Sequence, residues 1–145
     1  MKQNFYKLPF DFKSFFEHKD FSKISLKESI AQHVSMLITT AYKEYKHDYE
    51  FGSEIWESDF DLLSNVNKLK ENIKNSLAEK IKIYEKRLNN ISVNVTIGET
   101  YVPNIDQTRL KKQLVIRITG KLKKTNEAFA FNGSYYIAPL SYYDF

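Results

Sequence analysis

One change in the spacing of hydrophobic residues, close to residue 90, constrains the fold of this chain more than any other sequence feature. From residue 66 to residue 88, apolar side chains recur every three or four positions, which predicts a long amphipathic helix. From residue 91 to residue 97, isoleucine and valine alternate with polar residues, which is typical of a half-buried strand. A chain whose helices precede its strands is expected to form an α+β domain.

An earlier helix is predicted over residues 25–40. Ser25 and Glu28 have the spacing of a capping box, in which each side chain satisfies a free backbone N–H group at the helix start. Five apolar residues then share one helix face: Leu26, Ile30, Val34, Leu37 and Ile38. Thr39 and Thr40 are poor helix formers, so we expect the helix to end there.

Two further strands are predicted over residues 112–123 and 127–138, giving a three-stranded antiparallel sheet with the first. Even-numbered hydrophobic residues of the second strand and odd-numbered ones of the third are expected to face the core. The segment 98–106, which contains Pro103, is expected to be a loop.

The register between the second and third strands depends on the turn that joins them. If Thr125 and Asn126 form a tight turn, large side chains lie opposite two glycines and cover the gaps that these leave. The predicted pairs are Phe131 with Gly120 and Ile118 with Gly133.

Residues 1–24 form a separate segment in which aromatic residues are interspersed with charged ones. Pro9 and the lack of a clean period predict an extended arm with a helical turn near residues 12–17. Because so many bare phenylalanines would favour aggregation, the arm either packs on its own domain or lies on a neighbouring protein. The chain is thus divided into the arm, residues 1–24, and a single domain, residues 25–145.

The segment 41–57 is predicted to be an ordered loop. Gly52 is the only glycine before residue 98, so it is expected at a backbone position with positive φ or at a close contact. Trp56, the only tryptophan, is expected to be an anchor in the core beside this turn. His33, at the edge of the apolar stripe of the preceding helix, is interpreted as a packing or surface residue rather than a ligand.

The composition limits the class of protein. At 145 residues the chain is expected to form one domain, and without cysteine it can contain neither a disulfide nor a thiolate metal site. The first residues lack the unbroken apolar core of a signal peptide, and no apolar run is long enough to span a bilayer. We therefore expect a cytoplasmic protein that does not insert into a membrane.

Charged residues are segregated along the chain, although the formal net charge is only +4. Residues 48–61 include six acids and no base, whereas residues 109–124 include seven bases and no acid. Such blocks are either solvated faces or docking surfaces for partners of opposite charge. Nucleic-acid binding by the basic block is an alternative, but the chain has only three arginines, and lysines on strands commonly protect a sheet edge.

Motifs for catalysis and cofactor binding are absent from the sequence. It has no phosphate-binding loop, dinucleotide fingerprint, nucleophile elbow or HExxH zinc motif, so no catalytic residue, cofactor or metal is expected. One enzymatic alternative is a lysozyme-like, peptidoglycan-degrading activity, because glycoside hydrolysis uses two carboxyl groups about 5–10 Å apart. Glu50, Glu54 and Glu57 would be the candidates, although carboxyl groups in a polar loop are usually ionised.

Several short motifs have an order and spacing that resemble the GPW family. They are Ser29-Ile30 with Gln32, then Leu37-x-Thr39, Glu44, Phe51-Gly52-Ser53 and Glu85-x-Arg87-Leu88-x-x-Ile91. The resemblance covers residues 9–140. This family includes gene product 25 of contractile phage baseplates and the TssE subunit of the bacterial type VI secretion baseplate. The segments Leu8 to Phe12 and Pro139 to Tyr143 favour the secretion-system branch.

Two positions depart from the family pattern. Lys43-Glu44-Tyr45 stands where the family often has Gly-Glu-Arg, so this loop is expected to turn differently. Lys86 replaces the proline of the family's E-P-R-I element, so the long helix is expected to run on past it and to stop at Asn89-Asn90.

The resemblance implies a structural, non-enzymatic role. Such proteins hold the core of each baseplate wedge and give the contractile sheath a template for its first ring, in a baseplate docked at the inner membrane. The implied partners are other wedge subunits and sheath proteins, with no nucleic acid and no small-molecule substrate. Candidate family-motif and interface residues are Thr39, Glu44, Phe51, Gly52, Ser53, Trp56, Glu85 and Arg87. For Glu85 and Arg87, the alternatives are a solvent-exposed helix end and an ion pair that fixes the helix–strand junction at an interface.

Overall fold

The computed structural model describes residues 4–57, 66–103 and 108–137, and it has the predicted α+β architecture. Its elements are β1 (Phe5–Tyr6), α1 (Phe12–His18), β2 (Lys23–Ile24), α2 (Leu26–Thr39), a 3-10 helix (Glu54–Glu57), α3 (Val66–Tyr84), β3 (Leu88–Pro103), β4 (Thr108–Leu122) and β5 (Ala128–Ile137). Strands β1 and β2 form a small antiparallel sheet, and β3, β4 and β5 form a three-stranded antiparallel sheet in that order.

The core lies between the three-stranded sheet and the helices α2 and α3. Helix α3 packs against β3, and α2 contacts both α3 and β5. Fully buried side chains come from all of these layers and include Ile30, Leu37, Ile73, Ile81, Leu114, Ile116 and Ile118. Burying each of them contributes about 1.5–3 kcal/mol to stability. The predicted helical stripes and the predicted inward parity of the strands are confirmed.

Helix α2 begins at the predicted capping box. The backbone N–H of Glu28 donates to Ser25 Oγ at 3.2 Å, and the backbone N–H of Ser25 donates to Glu28 Oε2 at 2.7 Å. The bond from the Ser25 backbone is the main reason that the pKa of Glu28 lies below its usual value, because a carboxylate accepts this bond better than a carboxylic acid. The helix ends at Thr39, as the two threonines predict.

The prediction that α3 continues to residue 88 is wrong, because the helix ends at Tyr84. Glu85 leaves the helix with its side chain turned back, so that Glu85 Oε1 accepts the backbone N–H of Arg87 at 3.1 Å. This local bond closes a turn, and the lysine at position 86 does not prolong the helix. Asn89-Asn90 is part of β3 rather than a helix stop, and Asn90 takes a positive φ of 50° at an irregularity in the β3–β4 pairing.

The first strand is much longer than predicted. Strand β3 continues through Gly98 to Pro103, a segment expected to be a loop, and pairs with β4 as far as the bridge between Pro103 and Thr108. A proline is tolerated there because the end of a strand does not need its missing N–H group. The rest of the predicted loop, residues 104–106, lies outside the described residues.

The predicted register between β4 and β5 is wrong by two residues. The observed pairs are Gly120 with Phe129, Ile118 with Phe131 and Ile116 with Gly133. The cause is a longer turn over residues 123–126, in which the backbone N–H of Asn126 donates to Leu122 O at 2.8 Å. Because a shift of two residues preserves the pleat, the side chains still face the predicted sides of the sheet.

The N-terminal arm is more structured than an extended segment. Helix α1 confirms the predicted helical turn, and the pairing of β1 with β2 closes the arm into a compact unit. Phe21 lies at the centre of an aromatic cluster, with its ring centroid 4.6–6.3 Å from those of Tyr6, Phe10, Phe12 and Phe15. Edge-on and offset contacts of this kind stabilise aromatic clusters beyond simple burial.

The side chain of Gln32 holds this arm against α2. Gln32 Oε1 accepts the backbone N–H of Leu8 at 2.7 Å, and Gln32 Nε2 donates to Tyr6 O at 3.2 Å, as a neighbouring strand would. The arm therefore contacts its own domain, while Phe12 and Phe16 on α1 remain 61% and 79% exposed.

We expect Gln32→Ala to release the arm without unfolding the domain. The variant loses two hydrogen bonds, each worth about 1 kcal/mol, so trypsin cleavage at Lys7, Lys13 and Lys19 should accelerate by about tenfold or more. Limited proteolysis followed by mass spectrometry measures this rate. Asn75→Ala truncates an exposed amide on α3 and serves as the control. Equal cleavage rates for Gln32→Ala and the native chain would contradict this role of Gln32.

Candidate interaction site at the end of the second helix

The end of α2 is capped by residues that are distant in sequence. Ser53 Oγ and Trp56 Nε1 both donate to Ile38 O at 2.8 Å, and the backbone N–H of Ser53 donates to Thr40 O at 2.8 Å. The last carbonyl groups of a helix have no partner within the helix and need donors from elsewhere. The Phe51-Gly52-Ser53 motif thus provides the C-terminal cap of α2, and Ser53 is 1% exposed as a result.

Gly52 has the positive φ that the sequence predicts, at 136°. A Cβ atom at this position would lie only 2.5 Å from Thr40 O and 3.0 Å from Ala41 O. No L side chain fits between these groups, so glycine is required where the loop returns to the helix end.

Trp56 is not the predicted core anchor, because its side chain is 40% exposed. The neighbouring Ile55, which the sequence reasoning missed, is the fully buried residue of the 3-10 helix. The indole N–H is used for the bond to Ile38 O, which holds the ring at the surface. A tryptophan needs a partner for this donor, whereas isoleucine can be buried without one.

Glu44 and Thr39 shape the backbone on either side of the helix end. Glu44 Oε2 accepts the backbone N–H of Ala41 at 2.7 Å, and the backbone N–H of Glu44 donates to Ala41 O at 3.2 Å. Thr39 Oγ1 donates to Ser35 O at 2.8 Å and remains exposed. Both candidates therefore act on local geometry, and Glu44 fixes the start of the loop.

Glu85 is a buried carboxylate, only 2% exposed. It is surrounded by the backbone N–H of Arg87, the side chain of Arg87 and the ring of His33. Arg87 makes a bidentate ion pair with Glu85, from Nε to Oε1 and from Nη2 to Oε2, both at 2.8 Å. His33 Nδ1 lies 2.7 Å from Oε2. Burial by itself would raise the pKa of Glu85, but the hydrogen bonds from Arg87 and His33 outweigh it and lower the pKa to about 2. Glu85 is therefore ionised at neutral pH, in an ion pair rather than at an exposed helix end.

Arg87 extends this ion pair to two further elements. Its Nη1 donates to Ser29 Oγ on α2 at 3.0 Å, and its guanidinium carbon lies 5.7 Å from the centre of the Phe5 ring in the arm. His33 was not predicted as a partner of Glu85. The signal was its position one helical turn after Ser29, which places both side chains on the same side of α2.

An open groove lies between α2 and the loop that follows it, and we call it the α2–loop groove. Its volume is about 590 Å³, and it is lined by His33, Met36, Thr40, Glu44, Tyr45, Asp48, Phe51 and Tyr84. The Phe51 ring packs edge-on against Tyr84, with centroids 5.2 Å apart, and stacks on His33 at 6.1 Å. The groove thus brings the candidates Glu44 and Phe51 together, with Glu85 behind His33.

The Tyr84 hydroxyl donates to Asp48 Oδ2 at 2.8 Å inside the groove. Burial of the hydroxyl, assisted by the bond to Asp48, raises the pKa of Tyr84 to about 12. The phenol therefore stays neutral and acts as the donor. Of the predicted hydrolytic candidates, Glu50 is exposed in this loop, Glu54 belongs to the 3-10 helix, and the side chain of Glu57 lies outside the described part.

We expect Glu85→Gln to lose about 3 kcal/mol of stability near neutral pH, because it removes a buried charge that the half-buried Arg87 guanidinium needs as its counter-charge. Since the pKa of Glu85 is lowered from 4.5 to about 2, its contribution is complete above pH 4.5 and is lost as the pH falls towards 2. The stability difference between the native chain and the variant should therefore shrink over that interval in urea denaturation. Exposed Glu71→Gln is the control. A difference that stays constant with pH would contradict this linkage.

Comparison with known proteins identifies the family. A family described as "Baseplate wedge protein gp25" matches residues 24–127, which span from β2 to the turn before β5 and exclude most of the arm. A crystal structure described as a candidate tail lysozyme from Geobacter sulfurreducens has the same fold, with a TM-score of 0.60 at 21% identity. The match covers 84% of this chain and 100% of that one. No curated protein matches this chain in sequence.

The family match contains all eight candidate residues, from Thr39 to Arg87. Within the described ranges, no helix is both long and apolar enough to cross a membrane. Baseplate wedge proteins of this kind are structural parts of an assembly. The Glu85–Arg87 ion pair and the cap of α2 described above both stabilise the fold. The chain belongs to the baseplate wedge protein gp25 family.

Proposed function

We propose that this protein is a TssE-like wedge subunit of a type VI secretion baseplate, which links the other wedge subunits and templates the first ring of the contractile sheath. Family membership over residues 24–127 is the observation that carries this assignment. The Leu8 to Phe12 segment in the arm, which resembles the secretion-system branch, supports the choice of this machine over a phage tail. The subunit would act on the cytoplasmic side, in a baseplate docked at the inner membrane.

The three-stranded sheet supports a templating role. Strand β4 is central and pairs on both sides, whereas β3 and β5 are the edges among the described strands. An edge strand carries unpaired backbone groups and accepts a strand from another chain by β-augmentation. A sheath subunit that added a strand there would continue the sheet with fixed spacing and direction.

The β3–β4 hairpin also provides a long pair of strands. Strands β3 and β4 are paired from Leu88 and Leu122 to Pro103 and Thr108, and within the described residues β5 pairs with β4 from Ala128 to Ile137. The hairpin begins beside the Glu85 ion pair, which fixes the junction between α3 and β3. A long strand pair that starts at a fixed junction suits a part that another protein must engage.

Deletion of the gene should abolish sheath assembly, because the first sheath ring would lose its template. Fluorescence microscopy of a labelled sheath subunit measures this, with the native gene restored in trans as the control. Affinity purification of the native protein should also recover other wedge subunits. Sheaths of normal number and length in the deletion strain would contradict the proposed function.

A peptidoglycan-degrading activity is the alternative suggested by the description of the Geobacter protein, which at 21% identity shares only the fold. A glycosidase needs a carboxyl group whose pKa is raised, so that it can act as a general acid. The buried carboxyl group of Glu85 has the opposite property, since its pKa is lowered to about 2. Glu85 is thus unsuited to be the general acid, and we propose a non-enzymatic subunit, which uses no cofactor, small-molecule substrate or nucleic acid.

The purified protein is therefore expected to release no soluble fragments from peptidoglycan. Turbidity and released reducing sugars measure this, with a known lysozyme as the positive control. Release that is lost in the Glu54→Gln variant would show an activity that depends on this chain, and would overturn the assignment.

A further inference from the structure

The α2–loop groove has a chemical character that the proposed function does not explain. Aromatic and thioether groups form its walls, from Met36, Tyr45, Phe51 and Tyr84, and the carboxyl groups of Glu44 and Asp48 lie among them. None of the described residues that line it is a lysine or an arginine. An apolar groove with two carboxylates and no cation in its lining is complementary to a positively charged group that also has an apolar or planar surface.

The arrangement of the acids fits a ligand rather than an internal ion pair. Glu44 Oε2 accepts the backbone N–H of Ala41, and Asp48 accepts the Tyr84 hydroxyl and the backbone N–H of Glu50. All of these donors are neutral, so they orient the carboxylates without cancelling their charge. A carboxylate has about four acceptor sites, so both groups retain capacity for a further donor.

The positively charged side chains near the groove are not part of its lining. Arg87 is committed to Glu85, and Lys80 donates to Glu50 O at 3.1 Å. Lys43 and Lys46 belong to the same loop but are exposed and do not line the groove. Lys80 Nζ also lies 5.1 Å from the Tyr42 ring centre and 5.9 Å from that of Tyr84, so one ring of the groove wall already makes a cation–π contact.

We propose that the α2–loop groove receives an arginine side chain from a partner protein. A guanidinium group is planar and stacks on aromatic rings, and its fork of N–H donors matches a carboxylate, whereas a lysine ammonium is a compact and strongly hydrated charge. The exposed side chains of Tyr45 and Met36, at 47% and 45%, would cover the apolar part of the arginine. This inference rests on the proposed function only for the identity of the partner, a protein of the same assembly.

The groove is also fixed before a ligand arrives. Phe51 belongs to the segment that caps α2, and His33 behind it is bonded to the ionised Glu85. Rigid walls reduce the ordering cost of binding, which matters most for a ligand as small as one side chain. The helix cap and the buried ion pair thereby serve recognition as well as stability.

Titration of the intact protein with N-acetyl-arginine methylamide tests this inference directly. The control ligand is N-acetyl-citrulline methylamide, which has nearly the same shape but no charge. We expect saturable NMR chemical-shift changes centred on the groove for the arginine probe, with a millimolar dissociation constant, and no such changes for the citrulline probe. Equal shifts for both probes, or no groove-centred shifts with arginine, would overturn the assignment.

Two isosteric substitutions test whether the carboxylate charges of the groove bind the arginine probe. Glu44→Gln and Asp48→Asn keep an oxygen acceptor for the local hydrogen bonds, and together they should weaken arginine binding by about tenfold or more. Glu71→Gln removes an equal exposed charge on α3, about 20 Å along the helix from Tyr84, and should leave binding unchanged. Unchanged binding in the double variant, with an unchanged circular dichroism spectrum, would contradict the inference.

The same variants separate this inference from the proposed function. If the protein assembles sheaths but binds no arginine probe, the groove assignment fails and the baseplate role stands. If the probe binds while a deletion strain builds normal sheaths, the groove is a real site in a protein with another role. If both hold, the double variant should also recover fewer wedge subunits in affinity purification than Glu71→Gln does.

Discussion

The rest of the structure depends on one buried carboxylate, that of Glu85, at the junction between α3 and β3. A charge that is 2% exposed is tolerated only when donors surround it, and here they come from Arg87 and from His33 on α2. Because Arg87 also reaches Ser29 and the Phe5 ring, the same charge fixes the positions of α2 and the arm relative to the sheet. Loss of this carboxylate would therefore affect α2, α3, β3 and the arm at once.

The second constraint is the end of α2, where Phe51-Gly52-Ser53 returns to satisfy the free carbonyl groups. Gly52 permits the close approach, Ser53 supplies two donors, and Phe51 is placed against His33 and Tyr84. The helix cap and the Glu85 ion pair hold Phe51 and His33 in place, and these two side chains line the α2–loop groove. In a baseplate subunit, rigidity of this kind allows a partner to be held at a defined angle.

Much of the fold follows from the sequence because it depends on local backbone geometry. The capping box at Ser25 and Glu28, the apolar stripes of both helices and the inward parity of the strands are all confirmed. The errors occur where distant residues decide the outcome. Helix α3 ends early because Glu85 is drawn into its ion pair, and Ile55 rather than Trp56 is buried because the indole N–H bonds to Ile38. The β4–β5 register moved by two residues because the turn is longer, which left the faces unchanged.

The sequence by itself determined the α+β class, the helix starts, the faces of the strands and the motifs that identify the family, since each of these is a periodicity or a short-range pattern. Only the tertiary structure decided which residues act together. His33 and Glu85 are 52 positions apart, and Ser29 and Arg87 are 58 apart, and no local pattern relates such residues. Their proximity is a consequence of packing α2 against the end of α3, where a buried charge must find its partners.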